Sequence, residues 1–362
     1  MLGSPILAAV EGGGTTFVVA LARGTATNLL ERAEFPTTTP AETLGRCCAW
    51  LAARKYDALG VACFGPLDLQ PESATYGFIT TTPKPGWQYT DILGPLRAVN
   101  PAVPFGFDTD VNAPAMAEHA LALAEAQRTG EPPPSSCAYI TVGTGIGVGL
   151  VINGAPVHGL MHPEGGHLCV PLRASDVGFE GPNPTDCFGG LCAENMCCSI
   201  ALTKRGSLPS SAALASLPDD DPAWEAAAHY LGALCANVVL LASPNKIVLS
   251  GGVMQRTSLF PRVRVRMLDF LNGYIQHPAL ASPEDAASYV VPSTWGNAAG
   301  LVGALTLAAN ALDGGTSQSL MGGLLPRRRR TAAALGTLAV VVAAAATSLK
   351  MGRLPRIRLV VS

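Results

Sequence analysis

Residues 6 to 16 read Ile-Leu-Ala-Ala-Val-Glu-Gly-Gly-Gly-Thr-Thr: an apolar strand, one carboxylate (Glu11), three glycines and two hydroxyls, followed by a second apolar run, Phe17 to Leu21. A like design recurs about 130 residues later in Tyr139-Ile-Thr-Val-Gly-Thr-Gly-Ile-Gly-Val-Gly-Leu-Val-Ile-Asn153. Two strand-turn-strand units of this kind predict a nucleotide held between two halves of the chain. Phosphate oxygens need backbone N–H groups brought close together, which glycine permits because it has no Cβ and accepts positive φ. Threonine hydroxyls add neutral donors. Glu11, at a strand end, could hold a Mg²⁺ through water, since Mg²⁺ keeps several waters and takes few carboxylates. Neither unit is a Walker loop, because no Gly-Lys-Ser/Thr follows. Neither is a dinucleotide fingerprint, because Val148 stands at the sixth position of Gly143-Thr-Gly-Ile-Gly-Val and a strand follows instead of a helix. Either unit alone reads equally as a tight hairpin turn; the pair carries the inference.

A chain of 362 residues with 48% hydrophobic content can build two domains with cores of their own. Its alternation of strand-like and helix-like segments predicts an α/β fold. Ten cysteines, with Cys47-Cys48 and Cys197-Cys198 adjacent, show no disulfide-framework spacing. With no signal-peptide pattern before the first strand, a reducing, cytoplasmic setting is expected. The net charge of −2 hides an asymmetry, because residues 327 to 362 hold eight Arg/Lys and no acidic group, which leaves −10 for the rest. Nucleic acid is therefore not an expected partner.

Along the chain, an amphipathic helix is predicted near Ala41 to Arg54 and a strand over Ala58 to Cys63, ending in Phe64-Gly-Pro-Leu-Asp68. A loop, Thr80-Thr-Thr-Pro-Lys-Pro-Gly-Trp87, follows, and its Lys84 could attract an anion or simply be solvated. Strand Val103 to Phe107 then opens into Asp108-Thr-Asp-Val-Asn112. The organisation expected is an N-terminal lobe over 1–128, a breaker-rich boundary loop over 129–136, a C-terminal lobe over 137–312, and a basic, apolar tail over 313–362. Asp110 is the strongest catalytic candidate. It lies just past a buried-looking strand at the start of a helix, where open α/β sheets present functional groups, and a carboxylate there can take the proton of an attacking hydroxyl. Helix capping is the competing role for Asp110, as it is for Asp108.

Eight segments in order, Glu11-Gly-Gly-Gly-Thr, Phe64-Gly-Pro-Leu-Asp, Thr82-Pro-Lys-Pro-Gly-Trp, Thr109-Asp-Val-Asn-Ala, Thr141-Val-Gly-Thr-Gly-Ile-Gly, His162-Pro-Glu-Gly-Gly-His, Ser250-Gly-Gly-Val-Met and Gly296-Asn-Ala-Ala-Gly, resemble those of ROK-family sugar kinases. The likeness is strongest to the fructokinase branch and runs from about residue 5 to residue 312. It implies a two-lobed actin/hexokinase/Hsp70-like (ribonuclease H-like) fold with an interlobe cleft, ATP with Mg²⁺, and γ-phosphoryl transfer to the 6-hydroxyl of a hexose. By the same resemblance Asp110 is the general base, and Asn112, Glu164, His167, Gly65 and Pro66 lie at the sugar. Gly13, Gly14, Thr15, Thr16, Gly143, Thr144 and Gly145 serve the phosphates, with Gly251, Gly252, Gly296 and Asn297 about the ribose and adenine. A homodimer is also implied.

The chain departs from the family pattern at two places. Thr16 stands where relatives often have Lys. At the family's zinc site, Asp186-Cys187-Phe-Gly-Gly-Leu-Cys192 offers Cys187 and Cys192 beside His167 but no histidine between the cysteines, the matching position being nearest Gly189. Cys169, Cys197 or Asp186 could complete four ligands; otherwise the metal is lost and these are buried thiols.

Outside the resemblance, Thr331 to Leu349 is 19 residues without a charge, between Arg327–Arg330 and a second basic group. That length can span a bilayer, which would tail-anchor the kinase on a membrane facing the cytoplasm, although eight alanines make insertion marginal and basic residues on both sides set no orientation. An interfacial helix and an unstructured extension are the rivals. The function expected is phosphorylation of fructose to fructose 6-phosphate. The alternatives are a kinase of mannose, glucose or an N-acetylhexosamine, and a non-catalytic sugar sensor, against which the presence of Asp110 and the short segment before the first strand both speak.

Overall fold

The computed structural model describes residues 4–314; the tail expected to reach a membrane lies outside them. The chain divides into two compact units. In the first, β1 (Ile6–Gly12) and β2 (Thr16–Arg23) form the first Gly/Thr hairpin, and β3 (Leu29–Pro36) extends it. Helix α1 (Pro40–Ala52) leads to β4 (Ala58–Cys63), and Thr39 caps it by accepting the Glu42 N–H, with Pro40 in its first turn. A small ladder of β5 (Phe78–Ile79) and β6 (Thr90–Asp91) precedes α2 (Leu93–Val99), β7 (Phe105–Thr109) and α3 (Asn112–Thr129). The main sheet has the order β3-β2-β1-β4-β7, antiparallel across the hairpin strands and parallel from β1 through β4 to β7.

The second unit repeats this plan. Strands β8 (Ser136–Val142) and β9 (Ile146–Ile152) form the second Gly/Thr hairpin, with β10 (Ala155–Pro156) at its edge. After α4 (Ala193–Cys197), α5 (Ser199–Arg205) and the 21-residue α6 (Pro222–Ala242) come β11 (Ile247–Ser250), α7 (Leu259–Leu271) and β12 (Val290–Pro292). The sheet order is β10-β9-β8-β11-β12, with β8, β11 and β12 parallel. Helix α6 is apolar and long enough to cross a membrane by composition, but Trp224, Tyr230, Leu234 and Val238 along it lie in the core of this unit.

The units are not contiguous in sequence, which corrects the expected partition. Residues 156–162 and 298–314 belong with the first unit, not with a lobe running from 137 to 312. The reason is packing. Helix α8 (Ala299–Leu312) lies directly on β4 and β7, and two glycines admit its backbone: a Cβ at Gly60 would come within 1.8 Å of the Ala304 carbonyl, and one at Gly106 within 2.7 Å of the Leu307 carbonyl. Leu301, Leu305 and Leu307 of α8 join Leu7, Ala9, Ala58 and Ala62 in a core on that face, while Phe17, Trp87, Leu96 and Phe107 fill the opposite face.

Candidate active site

In each unit the residues expected at the site fall at the carboxyl ends of three adjacent parallel strands, where open α/β sheets bind ligands. In the first unit these ends are Gly13–Thr15 after β1, Gly65-Pro66 after β4 and Asp110 after β7. In the second they are Gly143–Gly145 after β8, Gly251-Gly252 after β11 and Gly296-Asn297 beyond β12.

The first turn is tight: the Gly13 N–H donates to the Thr16 carbonyl at 3.0 Å. Thr37 Oγ1 donates to the Gly13 carbonyl at 2.7 Å, and Lys84 Nζ donates to the Gly14 carbonyl at 2.6 Å. Below the turn, Glu11 packs against α8 at Gly300, where a Cβ would meet its Oε1 at 2.1 Å. Burial first, then the charge of Asp110, pushes the Glu11 carboxyl up to about 7. An oxygen-donor pair of this kind suits Mg²⁺ held partly through water.

Asp110 is half-buried, and its N–H donates to the Cys63 carbonyl at 2.9 Å, which joins the ends of β7 and β4. The Asn112 N–H at the start of α3 donates to Thr109 Oγ1 at 2.9 Å. Asp108 is fully buried and accepts three bonds, from the Thr109 N–H (2.7 Å) and Asn112 Nδ2 (3.0 Å) at Oδ1 and from His158 Nε2 (2.9 Å) at Oδ2. Asn112, expected at the sugar, is itself fully buried, with its amide turned to Asp108 and to the Val157 carbonyl. Its place is behind the strand end that carries Asp110. The Gly65–Pro66 peptide is cis, and the following Leu67 N–H donates to His162 Nε2 at 2.9 Å. Two imidazoles of the segment 156–162 thus hold it to the ends of β7 and β4. Neither bond is visible in the sequence, because the partners lie 50 and 95 residues away.

In the second unit, Glu164 opens a turn of 3₁₀ helix, Gly165–His167, that packs against β9; a Cβ at Gly166 would sit 1.8 Å from the Ile146 carbonyl. His167 Nε2 comes within 4.0 Å of Glu194 Oε1, whose other oxygen accepts the Ile146 N–H at 2.7 Å. Glu194 therefore ties the second Gly/Thr hairpin to His167, and burial raises its carboxyl above the usual range. It too was missed; its only sequence signal is its place two residues after Cys192. At the nucleoside end, Gly251 adopts φ of 93° against Val142, Ser250 Oγ donates to the Gly296 carbonyl at 3.3 Å, and Asn297 Oδ1 accepts from Gln255 Nε2 at 3.2 Å.

Three side chains that could hold a metal ion come together around His167. His167, Asp186 and Cys192 bring one donor atom each within 4.8 Å of one another, with His167 Nδ1 at 3.0 Å from Asp186 Oδ2. Cys187 is exposed and outside the set. The cause is local: Asp186 Oδ1 accepts the Cys187 N–H at 2.7 Å, and Phe188 and Gly189 then take left-handed φ of 56° and 64°, which turns the chain outward at Cys187. A nitrogen, an oxygen and a sulfur donor fit zinc with a fourth position left to water.

The sequence profile of the ROK family matches residues 7–311, so the chain belongs to the ROK family. It is 35% identical to the fructokinase of Pediococcus pentosaceus over 85% of this chain and 99% of that one. It is likewise 35% identical to the fructokinase of Zymomonas mobilis, over 84% of this chain and 97% of the relative. Among solved structures, a ROK family glucokinase from Streptomyces griseus in complex with glucose and AMPPNP shares the fold with a TM-score of 0.61 and 21% identity, covering 84% of this chain and 99% of that one.

Proposed function

We propose that this protein transfers the γ-phosphoryl group of ATP to the 6-hydroxyl of a hexose, with fructose as the preferred acceptor. The observation that carries the reading is the placement of Asp110 and the Gly13–Thr15 turn at the ends of parallel strands in one sheet, in a chain 35% identical to two fructokinases. Asp110 accepts the proton of the attacking hydroxyl. Glu164, His167 and Glu194 offer the hydrogen-bonding groups a polyol requires, and Gly65-Pro66 lies beside Asp110. Asn112 donates to Asp108 and so helps to fix the strand end that carries Asp110. The two Gly/Thr turns align the phosphates, and Gly251, Gly252, Gly296 and Asn297 receive the nucleoside. Glu11 would hold Mg²⁺ through water, and the ion, when bound, would supply neutralisation of charge on the phosphoryl oxygens. Zinc, where bound, would be held by His167, Asp186 and Cys192 and would fix the loop that carries His167. All ten cysteines are free thiols, in keeping with work in a reducing compartment beside the cell's ATP.

A coupled ADP-release assay across fructose, mannose, glucose and N-acetylated hexosamines tests the reading. Turnover is expected to be highest with fructose; ADP release with none of these sugars would refute it.

A further inference from the structure

Neither Gly/Thr turn carries a cation of its own. No Lys or Arg lies between Ile6 and Ala22 or between Ser136 and Ile152. A nucleoside triphosphate with one Mg²⁺ still bears net negative charge, and backbone N–H groups answer it only with dipoles. A fixed ammonium adds a full charge and charge-assisted bonds roughly twice as strong as neutral ones. One side chain reaches the first turn with such a group. Lys84 Nζ donates to the Gly14 carbonyl at 2.6 Å, across 70 residues of sequence. That single bond leaves two ammonium N–H groups. No carboxylate pairs with Lys84 among the described residues, whereas Arg32, whose charge also reaches Glu11, is tied to Glu34.

The loop that delivers Lys84 is anchored at several points. Trp87 is fully buried, stacks on Phe17 at 5.4 Å and meets Phe64 edge-on at 5.4 Å, and its Nε1 donates to the Thr38 carbonyl at 2.8 Å. Phe17 directly follows Thr16, so the loop is braced on the hairpin it overlies. The Lys84 N–H donates to Thr82 Oγ1 at 3.3 Å, and Pro83 and Pro85 restrict the backbone on either side. Lysines that merely dangle in solvent lack such a mount.

We propose that Lys84 is the phosphate-binding cation of the first turn, its ammonium bridging from the Gly14 carbonyl to the terminal phosphate oxygens of a bound nucleoside triphosphate. The inference rests on the kinase reading for its ligand, a polyphosphate anion. Its competitor is a purely bracing role, in which the lysine only holds the Gly14 carbonyl.

Substitution separates the two. In Lys84→Gln the amide still donates to the carbonyl and the charge is gone; Lys84→Met removes both, and Lys84→Arg keeps the charge. Full-length protein is titrated with Mg–AMPPNP by calorimetry, and the same variants are assayed with ATP and fructose. Lys84→Gln and Lys84→Met are both expected to weaken AMPPNP and raise the ATP KM by about tenfold or more, the fructose KM staying within about twofold, while Lys84→Arg stays near wild type. The wild-type Kd should also rise more steeply with salt than that of Lys84→Gln. A Lys84→Gln protein that binds AMPPNP like wild type, with the same salt dependence, overturns the proposal. Lack of sugar turnover by wild type would count against the kinase reading alone, because the Kd comparison reads the lysine directly.

Discussion

His158 Nε2 and Asp108 Oδ2 lie 2.9 Å apart, joining a segment just before the Glu164 turn to the strand that ends in Asp110. Asp108 is fully buried, and a buried carboxylate is tolerated only when its oxygens are satisfied. The pair is therefore a positioning device for the strand end. Replacing His158 by Leu should lower fructose kcat/KM by about tenfold or more, since a partner of a buried charge is lost. His158→Gln, which can still donate to Asp108, should recover most of it. Equal losses in the two variants would show that ring volume matters and the hydrogen bond does not.

The same pair makes stability depend on pH. Burial alone would lower the His158 imidazole, but its hydrogen bond to Asp108 and the charge of that carboxylate outweigh burial and hold it above its ordinary value. A raised histidine contributes stability that is fully present below the ordinary value of about 6.5 and is lost as pH rises through the raised one. The Tm advantage of wild type over His158→Gln should thus be largest near pH 6 and shrink on going to pH 9. An advantage that stays constant over that range would contradict the assignment.

Glu11 shifts stability with pH in the same direction, although its site disfavours the charged form where that of His158 favours it. Its carboxyl is raised from 4.5 to about 7, so the folded chain holds a proton that the unfolded chain has released. Stability attributable to this group falls as pH rises from 4.5 to 7 and stays low above that. Glu11→Gln should therefore melt several degrees above wild type at pH 8 and level with it near pH 4.5, while needing more Mg²⁺ for half-maximal activity. Parallel melting curves at all pH values would show that Glu11 is not strained by its site.

The approach of α8 to the sheet can be tested with two glycines. Gly60→Ala would drive a methyl into the Ala304 carbonyl and should destabilise by about 3 kcal/mol or more. Gly45, inside α1 with no neighbour within 4 Å of the point an added methyl would occupy, should by contrast gain about 0.5–1 kcal/mol on change to Ala. Chemical denaturation reads both, and a neutral Gly60→Ala would contradict the packing described.

At the cluster of His167, Asp186 and Cys192, Asp186→Ala removes one of the three donors and should lower zinc affinity about tenfold or more. Cys187→Ser should leave metal content unchanged, because Cys187 lies outside the set. Metal analysis after dialysis against a weak chelator distinguishes the two, and loss of zinc in Cys187→Ser would restore that thiol as a ligand.

What was legible in the sequence was local. The Gly/Thr turns were visible because their backbone demands leave glycine in runs, and Asp110 because strand ends in α/β sheets are where functional groups stand. What was hidden came from distance. Lys84 meets Gly14 across 70 residues and His158 meets Asp108 across 50, and neither pairing leaves a trace in spacing. Helix α8 reads as a continuation of the second half, yet Gly60 and Gly106 make its groove in the first. At Asp186-Cys187 the residue types leave both the carboxylate and the thiol as candidate ligands, and the left-handed φ at Phe188 and Gly189, which sequence does not reveal, accompanies the grouping of Asp186 with His167 and Cys192. Asn112 has the chemistry of a sugar ligand, and spacing alone does not show that its amide donates to the buried Asp108.

The central claim, that Asp110 takes the proton of the acceptor hydroxyl, is tested most directly by Asp110→Asn assayed for fructose-dependent ADP release and titrated with Mg–AMPPNP. The expected result is a fall in kcat of about 10²–10⁴-fold with the AMPPNP Kd unchanged. Turnover within a few-fold of wild type would contradict it.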